Sequence, residues 1–324
     1  SPSYPKYIPQ LTYTEPPTRL QTLDLWLPRP LEESDPHTTV FIIYIHGGAW
    51  RDPAQDSTTI HATLAHLSAP STYSTTATPA HPSLAHIAGV ASLDYRLSPY
   101  KDHPTDPSAP DDESRNAKWP DHIHDVRAAL RFLAAEYGVG RGGEAGYRWI
   151  GAGHSCGATL LAQHVSGIGL EEEEGKAEEK ELAGPEALVL IAGIYSLPHL
   201  LSHHQPPRCP PAIADIYASF VRGAFGPNVE DFYTAVSPLA GAYTRAACPA
   251  LRSVVLAYSP ADELIEPGQR AGMLARLREC GWVERREGRG VEGERIVEAV
   301  DLTGGHDEVW EDGRQVAVLI GDAV

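Results

Sequence analysis

The pentapeptide Gly153-His154-Ser155-Cys156-Gly157 (GHSCG) is the part of the sequence that is most informative about the fold. It matches the pattern G-x-S-x-G, in which a serine occupies a tight, strained turn between a strand and a helix. Small residues on either side of the serine let the two backbones approach closely, and the helix start favours negative charge nearby. A short apolar strand is predicted at 148–151 and a helix at 159–167, so the context agrees. We therefore expect Ser155 to be a nucleophile at the carboxyl edge of a sheet.

Strand-like apolar segments alternate with helical patterns along the rest of the chain. The segment 39–45 is apolar at nearly every position, which is typical of a central strand buried on both faces. Further strands are predicted at 20–27, 87–93, 187–191, 251–258 and 295–302. Helices are predicted at 57–67, 120–137, 212–224, 268–280 and, as one continuous element, 308–320. This alternation predicts a mainly parallel sheet flanked by helices. Together with the serine turn it predicts the α/β-hydrolase fold.

The length of 324 residues suits one domain with a sizeable buried core, so we expect a single domain over residues 1–324. Residues 1–36 are interpreted as an extended lead-in that carries the first predicted strand. The run EEEEGKAEEKE at 171–181 is strongly acidic. We interpret residues 171–184 as a solvated surface insertion, because charge runs of this kind are usually solvated.

Composition excludes several classes of partner. The formal net charge is −17, and so acidic a surface repels phosphate backbones, which argues against nucleic acid. No apolar run reaches the roughly 18 residues of a membrane span. The chain has 4 cysteines and none forms a CxxC pair, so we expect no metal site. Low cysteine usage favours a reducing compartment and hence a cytoplasmic location. Oligomeric state cannot be read from the sequence, and a homodimer is left open.

A second motif, His46-Gly47-Gly48-Ala49-Trp50, directly follows the predicted central strand. It is similar to the HGGG-type motif whose backbone N–H groups form the oxyanion hole of esterases and lipases. We expect the N–H groups of Gly48, Ala49 and Cys156 to stabilise a developing oxyanion, each by about 3 kcal/mol. His46 is expected to orient this loop through hydrogen bonds and not to transfer protons.

A nucleophilic serine needs a base, and the base needs an orienting acid. In this fold the chain order is serine, then Asp or Glu, then histidine. Asp262 follows the strand predicted at 251–258, and His306 follows the last predicted strand, so these two residues occupy the expected places. Glu263 is an alternative to Asp262 as the acid. His154 is expected to pack beside the serine rather than to act as the base.

Eight segments in order along nearly the whole chain resemble the kynurenine formamidase (arylformamidase) family, particularly its fungal branch. They are HGGAWRDP (46–53), DYRLSP (94–99), WPDHIHDV (119–126), GHSCGATL (153–160), AGIYSL (192–197), VSPL (236–239), SPADELI (259–265) and GGHDEVW (304–310). The Trp50 variant of the second motif, followed by Arg-Asp-Pro, is the most telling segment.

This resemblance implies hydrolysis of a small molecule, N-formyl-L-kynurenine, to L-kynurenine and formate, a step of tryptophan breakdown toward NAD. It implies Ser155 as nucleophile, Asp262 as orienting acid and His306 as base, with no cofactor. Trp50 and Tyr195 are candidates to stack on the aromatic ring of the substrate.

Two alternatives remain at this point. A general carboxylesterase of the hormone-sensitive-lipase-like type would use the same machinery with a broader acyl pocket. A catalytically inactive binding protein of the same fold would not need the serine, acid, histidine and oxyanion glycines that are all present here.

Overall fold

A computed structural model of the chain describes residues 3–69, 82–141, 146–170, 182–285 and 293–324. The strands of this part are β1 (Lys6–Thr12), β2 (Thr22–Leu27), β3 (Val40–Ile45), β4 (Ile87–Leu93), β5 (Arg148–His154), β6 (Ala187–Ile191), β7 (Ser253–Tyr258), β8 (Val283–Glu284) and β9 (Ile296–Asp301). The α-helices are α1 (His61–Ser68), α2 (Asp121–Tyr137), α3 (Cys156–Ser166), α4 (Leu197–His203), α5 (Pro211–Phe225), α6 (Phe232–Val236), α7 (Pro267–Glu279), α8 (Glu308–Asp312) and α9 (Arg314–Ala323).

The strands form one sheet in the order β1-β2-β4-β3-β5-β6-β7-β9-β8. β2 is antiparallel to both of its neighbours, and all other pairings are parallel. Helices lie between the successive parallel strands from β3 to β8, as parallel connections require. The predicted fold class, a mainly parallel sheet flanked by helices, is confirmed.

The central strand β3 shows why the sheet is buried on both faces. All six of its residues are buried. Phe41, Ile43 and Ile45 belong to one hydrophobic cluster, and the alternating residues belong to a second cluster on the opposite face. Because successive side chains of a strand point to opposite faces, a strand between two helical layers must be apolar throughout.

The lead-in predicted for residues 1–36 contains more structure than the sequence indicated. Besides β2, it holds β1, which pairs with β2 at the edge of the sheet. Most residues of β1 are exposed, so the strand lacks the apolar alternation that would have announced it. The acidic run at 171–181 lies outside the described residues.

The C-terminal helix predicted as one element over 308–320 is two helices, α8 and α9. They are separated by Gly313, whose φ is +69°. A Cβ atom at this position would lie 2.4 Å from the backbone nitrogen of Thr63 in α1. The break therefore lets the last two helices pack closely against α1, which is a tertiary effect.

No helix in the described ranges combines the length and the apolar character that a membrane span requires.

Candidate active site

Ser155 forms the whole turn between β5 and α3. Its backbone dihedral angles are φ 54° and ψ −122°, a conformation that non-glycine residues rarely adopt. Its N–H donates to the carbonyl oxygen of Ile191 on the neighbouring strand at 2.8 Å. The sequence predicted a tight, strained turn at the serine, with the strand ending at 151 and the helix beginning at 159, but both elements extend to the serine itself. The actual turn is a single strained residue, and such strain persists only where the surroundings enforce it.

The two glycines of the pentapeptide permit this strain. A Cβ atom at Gly157 would lie 2.1 Å from the carbonyl oxygen of Ile45, and one at Gly153 would lie 2.7 Å from the carbonyl carbon of Gly157. Only glycine lets β3, β5 and the start of α3 approach this closely. The spacing of the motif thus follows from the contact between α3 and the central strands.

Asp262 and His306 are brought together from two loops at the carboxyl edge of the sheet. The first loop, residues 259–266 after β7, is called the acid loop below. The Nδ1 atom of His306 lies 2.8 Å from Oδ2 of Asp262. Both side chains are buried, with 4% and 1% of their surface exposed. Oδ1 of Asp262 accepts the N–H groups of Leu264 and Ile265 at 2.8 Å each, so the carboxylate is fixed by its own loop.

Glu263, the alternative acid, contacts a different part of the same histidine. Its Oε2 atom accepts the backbone N–H of His306 at 3.1 Å. Asp262 therefore faces the imidazole ring, whereas Glu263 holds the backbone.

His154 directly precedes the serine in the chain and contacts His306. Its Nε2 atom is 3.1 Å from the carbonyl oxygen of His306, which makes Nε2 the protonated nitrogen, and the two rings are 4.5 Å apart. Burial holds the pKa of His154 well below its ordinary value, and the charge of His306 lowers it further. This neutral imidazole positions the backbone of His306, in agreement with the predicted packing role.

Residues 46–50, called the HGGAW loop, carry an unusual backbone. Gly48, Ala49 and Trp50 all have positive φ angles, of 94°, 49° and 60°. In the described ranges the N–H groups of Gly48 and Ala49 donate to no oxygen atom, although that of Ala49 faces the Cys156 thiol. Cys156 is the first residue of α3, where N–H groups lack intrahelical partners. These are the three donors that the sequence predicted for an oxyanion hole.

The strained loop is held by contacts that the sequence did not reveal. The N–H of Trp50 donates to Sγ of Cys156 at 3.3 Å, and its carbonyl accepts the N–H of Ser98 at 2.7 Å. The hydroxyl of Tyr95 donates to the carbonyl oxygen of Gly47 at 3.1 Å. Tyr95 comes from the DYRLSP segment after β4, and nothing in that segment indicates which loop its hydroxyl reaches.

His46 anchors the start of the HGGAW loop. Its Nδ1 atom is 2.9 Å from the carbonyl oxygen of Gly47, and its ring stacks on Tyr95 with centroids 4.6 Å apart. Burial lowers its pKa to about 4, so the ring is neutral near pH 7. The structure thus gives His46 the orienting hydrogen bond that was predicted.

Cys156 is buried next to the serine, and burial raises the pKa of its thiol to about 11. A thiolate is the nucleophilic form of cysteine. The thiol is therefore unsuited to nucleophilic attack at neutral pH, and it acts as an acceptor for the loop instead.

A buried carboxyl group that the sequence did not single out supports the same region. Asp94 accepts the N–H of Ser57 at 2.7 Å and the hydroxyl of Thr22 at 3.1 Å, and it lies 3.8 Å from Nε2 of His46. Burial raises the pKa of Asp94 to about 7. The group links β2, the HGGAW loop and the turn before α1.

The predicted stacking of Trp50 and Tyr195 on a substrate is not supported by their placement. Trp50 is 0% exposed and packs edge-on against Phe225 at 5.0 Å, and Tyr195 is 2% exposed. Both rings belong to the core, and neither has a free face.

Among the described residues, His154, His306 and Asp307 are the group whose geometry could hold a metal ion, with ligand atoms within 4.8 Å of one another. Several atoms of this group have other partners, although Nδ1 of His154 has none within the described ranges. Nδ1 of His306 bonds to Asp262, and Oδ1 of Asp307 accepts the side chains of Gln55 and Trp310 at 3.2 and 3.0 Å.

A cleft of about 360 Å³ lies on the far side of the acid loop, between this loop and the end of α4. It shares Asp262 and Glu263 with the site, but Ser155 and the HGGAW loop do not line it.

No protein-family model matches the chain. Curated proteins do match it. The chain is 33% identical over 319 residues to the kynurenine formamidase-like hydrolase fscH of Fusarium equiseti, covering 98% of this chain and 93% of that protein. It is 31% identical over 289 residues to the kynurenine formamidase avaC of Aspergillus versicolor, covering 83% of each. The chain belongs to the kynurenine formamidase family.

Solved structures place this kynurenine formamidase family member among proteins of the predicted fold. Esterase 2 of Thermogutta terrifontis, solved in a form phosphonylated by sarin, matches with a TM-score of 0.60. The match covers 99% of this chain and 95% of the esterase at 15% identity. At this identity the likeness supports the fold alone.

Proposed function

We propose that the protein hydrolyses N-formyl-L-kynurenine to L-kynurenine and formate. The observation that carries the proposal is the 2.8 Å contact between Asp262 and His306 beside the strained Ser155 turn, in a chain of the kynurenine formamidase family. A buried carboxylate on Nδ1 leaves the opposite nitrogen of His306 unprotonated and able to act as a base.

Attack begins when His306 takes the proton of the Ser155 hydroxyl and the oxygen adds to the formyl carbon. The charge that develops on the formyl oxygen is stabilised by the N–H groups of Gly48, Ala49 and Cys156. Because the backbone already holds these donors in place, little reorganisation accompanies the reaction.

The second half of the reaction returns the proton. Protonated His306 donates to the aniline nitrogen of kynurenine as the C–N bond breaks, leaving a formyl group on Ser155. His306 then activates a water molecule, whose attack releases formate and restores the serine. Asp262 stabilises the imidazolium in both steps and stays ionised.

The crowded surroundings of the serine favour a small acyl group. Ser155 is 4% exposed, and Trp50 next to the oxyanion donors is fully buried. Formyl is the smallest acyl group, so recognition falls on the leaving group, an aromatic ketone that carries an amino acid.

The test is kcat/KM for N-formyl-L-kynurenine beside p-nitrophenyl acetate, with Ser155→Ala as the blank. We expect a preference of several orders of magnitude for the formamide and no turnover by the variant, whose circular dichroism should match the wild type. Comparable rates on both substrates would instead indicate a general carboxylesterase. Failure of Ser155 to react with a fluorophosphonate would indicate an inactive binding protein.

We also propose a cytoplasmic location, for which the cysteines are the support. All four are free, at positions 156, 209, 248 and 280, which supports a reducing compartment such as the cytoplasm. A homodimer remains a prediction, to be measured by light scattering.

A further inference from the structure

Arg51, the residue after the HGGAW loop, is buried without a carboxylate partner. It is 9% exposed, and its guanidinium lies 4.0 Å from the centroid of the Tyr100 ring. The one hydrogen bond of its guanidinium within the described ranges is to the hydroxyl of Ser219 at 3.3 Å, and no ion pair reaches the guanidinium there. Burial lowers the pKa of Arg51, although Tyr100, Asp52 and other nearby acidic groups oppose that shift.

Two other buried arginines of the described chain make more hydrogen bonds, although each also has one enclosed nitrogen without a partner. Arg115 pairs with Asp106 at 2.9 Å and also donates to the carbonyl oxygen of that residue. Arg295 donates to two backbone carbonyl oxygens, at 3.1 and 2.8 Å. A guanidinium offers five donors, so Arg51 keeps most of its capacity unused. In the described ranges none of its nitrogens is both fully enclosed and unpartnered, so the unused donors remain open to solvent or a ligand. Desolvating a cation without an anion is costly, and a bound anion would offset that cost.

Arg51, whose guanidinium has these unpaired donors, lies close to the reaction centre along the chain. Its N–H donates to the carbonyl oxygen of Gly48 at 2.9 Å, in a turn that continues the HGGAW loop. Two peptide units separate Ala49 from Arg51, so their Cα atoms are at most about 7.5 Å apart.

Helix α5 contacts both Arg51 and the acid loop. Ser219 and Phe220 of this helix contact the guanidinium. One turn earlier, the hydroxyl of Tyr217 donates to the carbonyl oxygen of Leu264 in the acid loop at 2.6 Å. The helix thus spans from the loop that carries Asp262 to the guanidinium.

The substrate named under the proposed function carries a carboxylate on its leaving group. About seven covalent bonds, on the order of 7 Å, separate the formyl carbon from that carboxylate. A planar guanidinium matches a carboxylate with two parallel hydrogen bonds, which provides geometric selectivity as well as affinity.

We propose that Arg51 binds the amino-acid carboxylate of the leaving group and so selects aryl formamides that bear one. This inference rests on the proposed function and deepens it. Arg51 is a specificity-determining residue, and the attack on the formyl group does not depend on it.

The experiment compares N-formyl-L-kynurenine with 2′-formamidoacetophenone, which has the same scissile bond and aryl ketone but lacks the amino acid. Arg51→Gln should lower kcat/KM for formylkynurenine by about 10- to 100-fold, mostly through KM, because charge-assisted hydrogen bonds are lost. The neutral substrate should change by less than about threefold. Arg51→Lys should be intermediate on formylkynurenine, since it keeps the charge and loses the fork.

Arg222→Gln is the matched control, because Arg222 is an exposed arginine of α5 and the change alters the net charge equally. It should leave both substrates unaffected. Calorimetric binding of the product L-kynurenine should weaken in Arg51→Gln by the same factor as kcat/KM. Equal losses on both substrates, or no loss on formylkynurenine, would overturn the role of Arg51 and leave the formamidase proposal intact. A wild-type enzyme inactive on both formamides would overturn the two proposals together.

Discussion

At the scale of single residues, two adjacent acids hold one histidine through different atoms. Asp262 contacts the ring of His306, and Glu263 contacts its backbone N–H. The ring contact sets the tautomer of the base and stabilises its protonated form, whereas the backbone contact only places the residue. The two acids therefore differ in what their charge does for the reaction.

Paired amide substitutions separate these roles. Asp262→Asn should lower kcat by roughly four orders of magnitude, because the amide favours the wrong tautomer of His306. Glu263→Gln keeps an oxygen acceptor for the backbone N–H, so its kcat should fall by less than about tenfold. Steady-state kinetics on formylkynurenine, with folding checked by circular dichroism, would measure both. A larger loss in Glu263→Gln than in Asp262→Asn would contradict the assignment of the acid.

Much of the site could be read from the order of residues along the chain. Ser155, Asp262 and His306 each follow a strand of a parallel sheet, and the carboxyl ends of parallel strands meet at one edge. Tyr95 could not be found in this way, because its hydrogen bond to the carbonyl oxygen of Gly47 depends on how two separate loops pack. The burial of Trp50 is likewise set by α5, which no local pattern places over it.

At the scale of secondary-structure elements, the strongly periodic or continuously apolar segments were predictable and the weakly patterned ones were not. β3 and α2 were expected because each buries a long apolar face. β1 is mostly exposed, and α4 has seven residues including a proline in its first turn, too few to show a helical period. Packing against neighbours stabilises such elements, so their own residues carry little signal.

The break between α8 and α9 allows the energetic cost of close packing to be separated from the cost of a strained backbone. Gly313 and Gly167 both end a helix, with φ of 69° and 76°. A Cβ atom at Gly313 would lie 2.4 Å from the backbone of Thr63, whereas nothing lies within 4 Å of one at Gly167. Gly167→Ala should cost about 1 kcal/mol of unfolding free energy from the positive φ alone. Gly313→Ala should cost about 1–3 kcal/mol more, from the forced displacement of α1.

Urea denaturation of the two alanine variants would measure this difference. Equal losses would show that α1 yields to the added methyl group without cost. A loss confined to Gly167→Ala would contradict the packing of α9 on α1.

At the scale of the whole molecule, several histidines are buried in neutral form. Burial lowers the pKa of His46, His122 and His164 to about 4, and that of His154 lies well below its ordinary value. The unfolded chain takes up these protons near pH 6.5, so the stability present above pH 6.5 is lost as the pH falls toward 4. Asp94 acts in the opposite sense, because its pKa of about 7 lets the folded state hold a proton that the unfolded state releases.

The unfolding free energy should therefore fall between pH 6.5 and 4, by up to about 1.4 kcal/mol per pH unit for each proton of difference. His122→Gln removes one of the buried histidines at a position outside the reaction centre. The unfolding free energy of this variant should change with pH less steeply than that of the wild type, by about 1.4 kcal/mol per pH unit. Urea titrations at several pH values would measure both slopes. A stability that is flat over this range would show that the histidines stay hydrated.

The two margins of the sheet have a consequence for the protein at high concentration. At one margin, β1 carries Pro9, which has no N–H, and its pairing with β2 shifts register between Ile8 and Leu11. At the other margin, β8 is two residues long. An exposed edge recruits strands from other chains only if it offers a long, regular row of donors and acceptors. In the described residues both margins are short or irregular, which disfavours extension of the sheet from molecule to molecule.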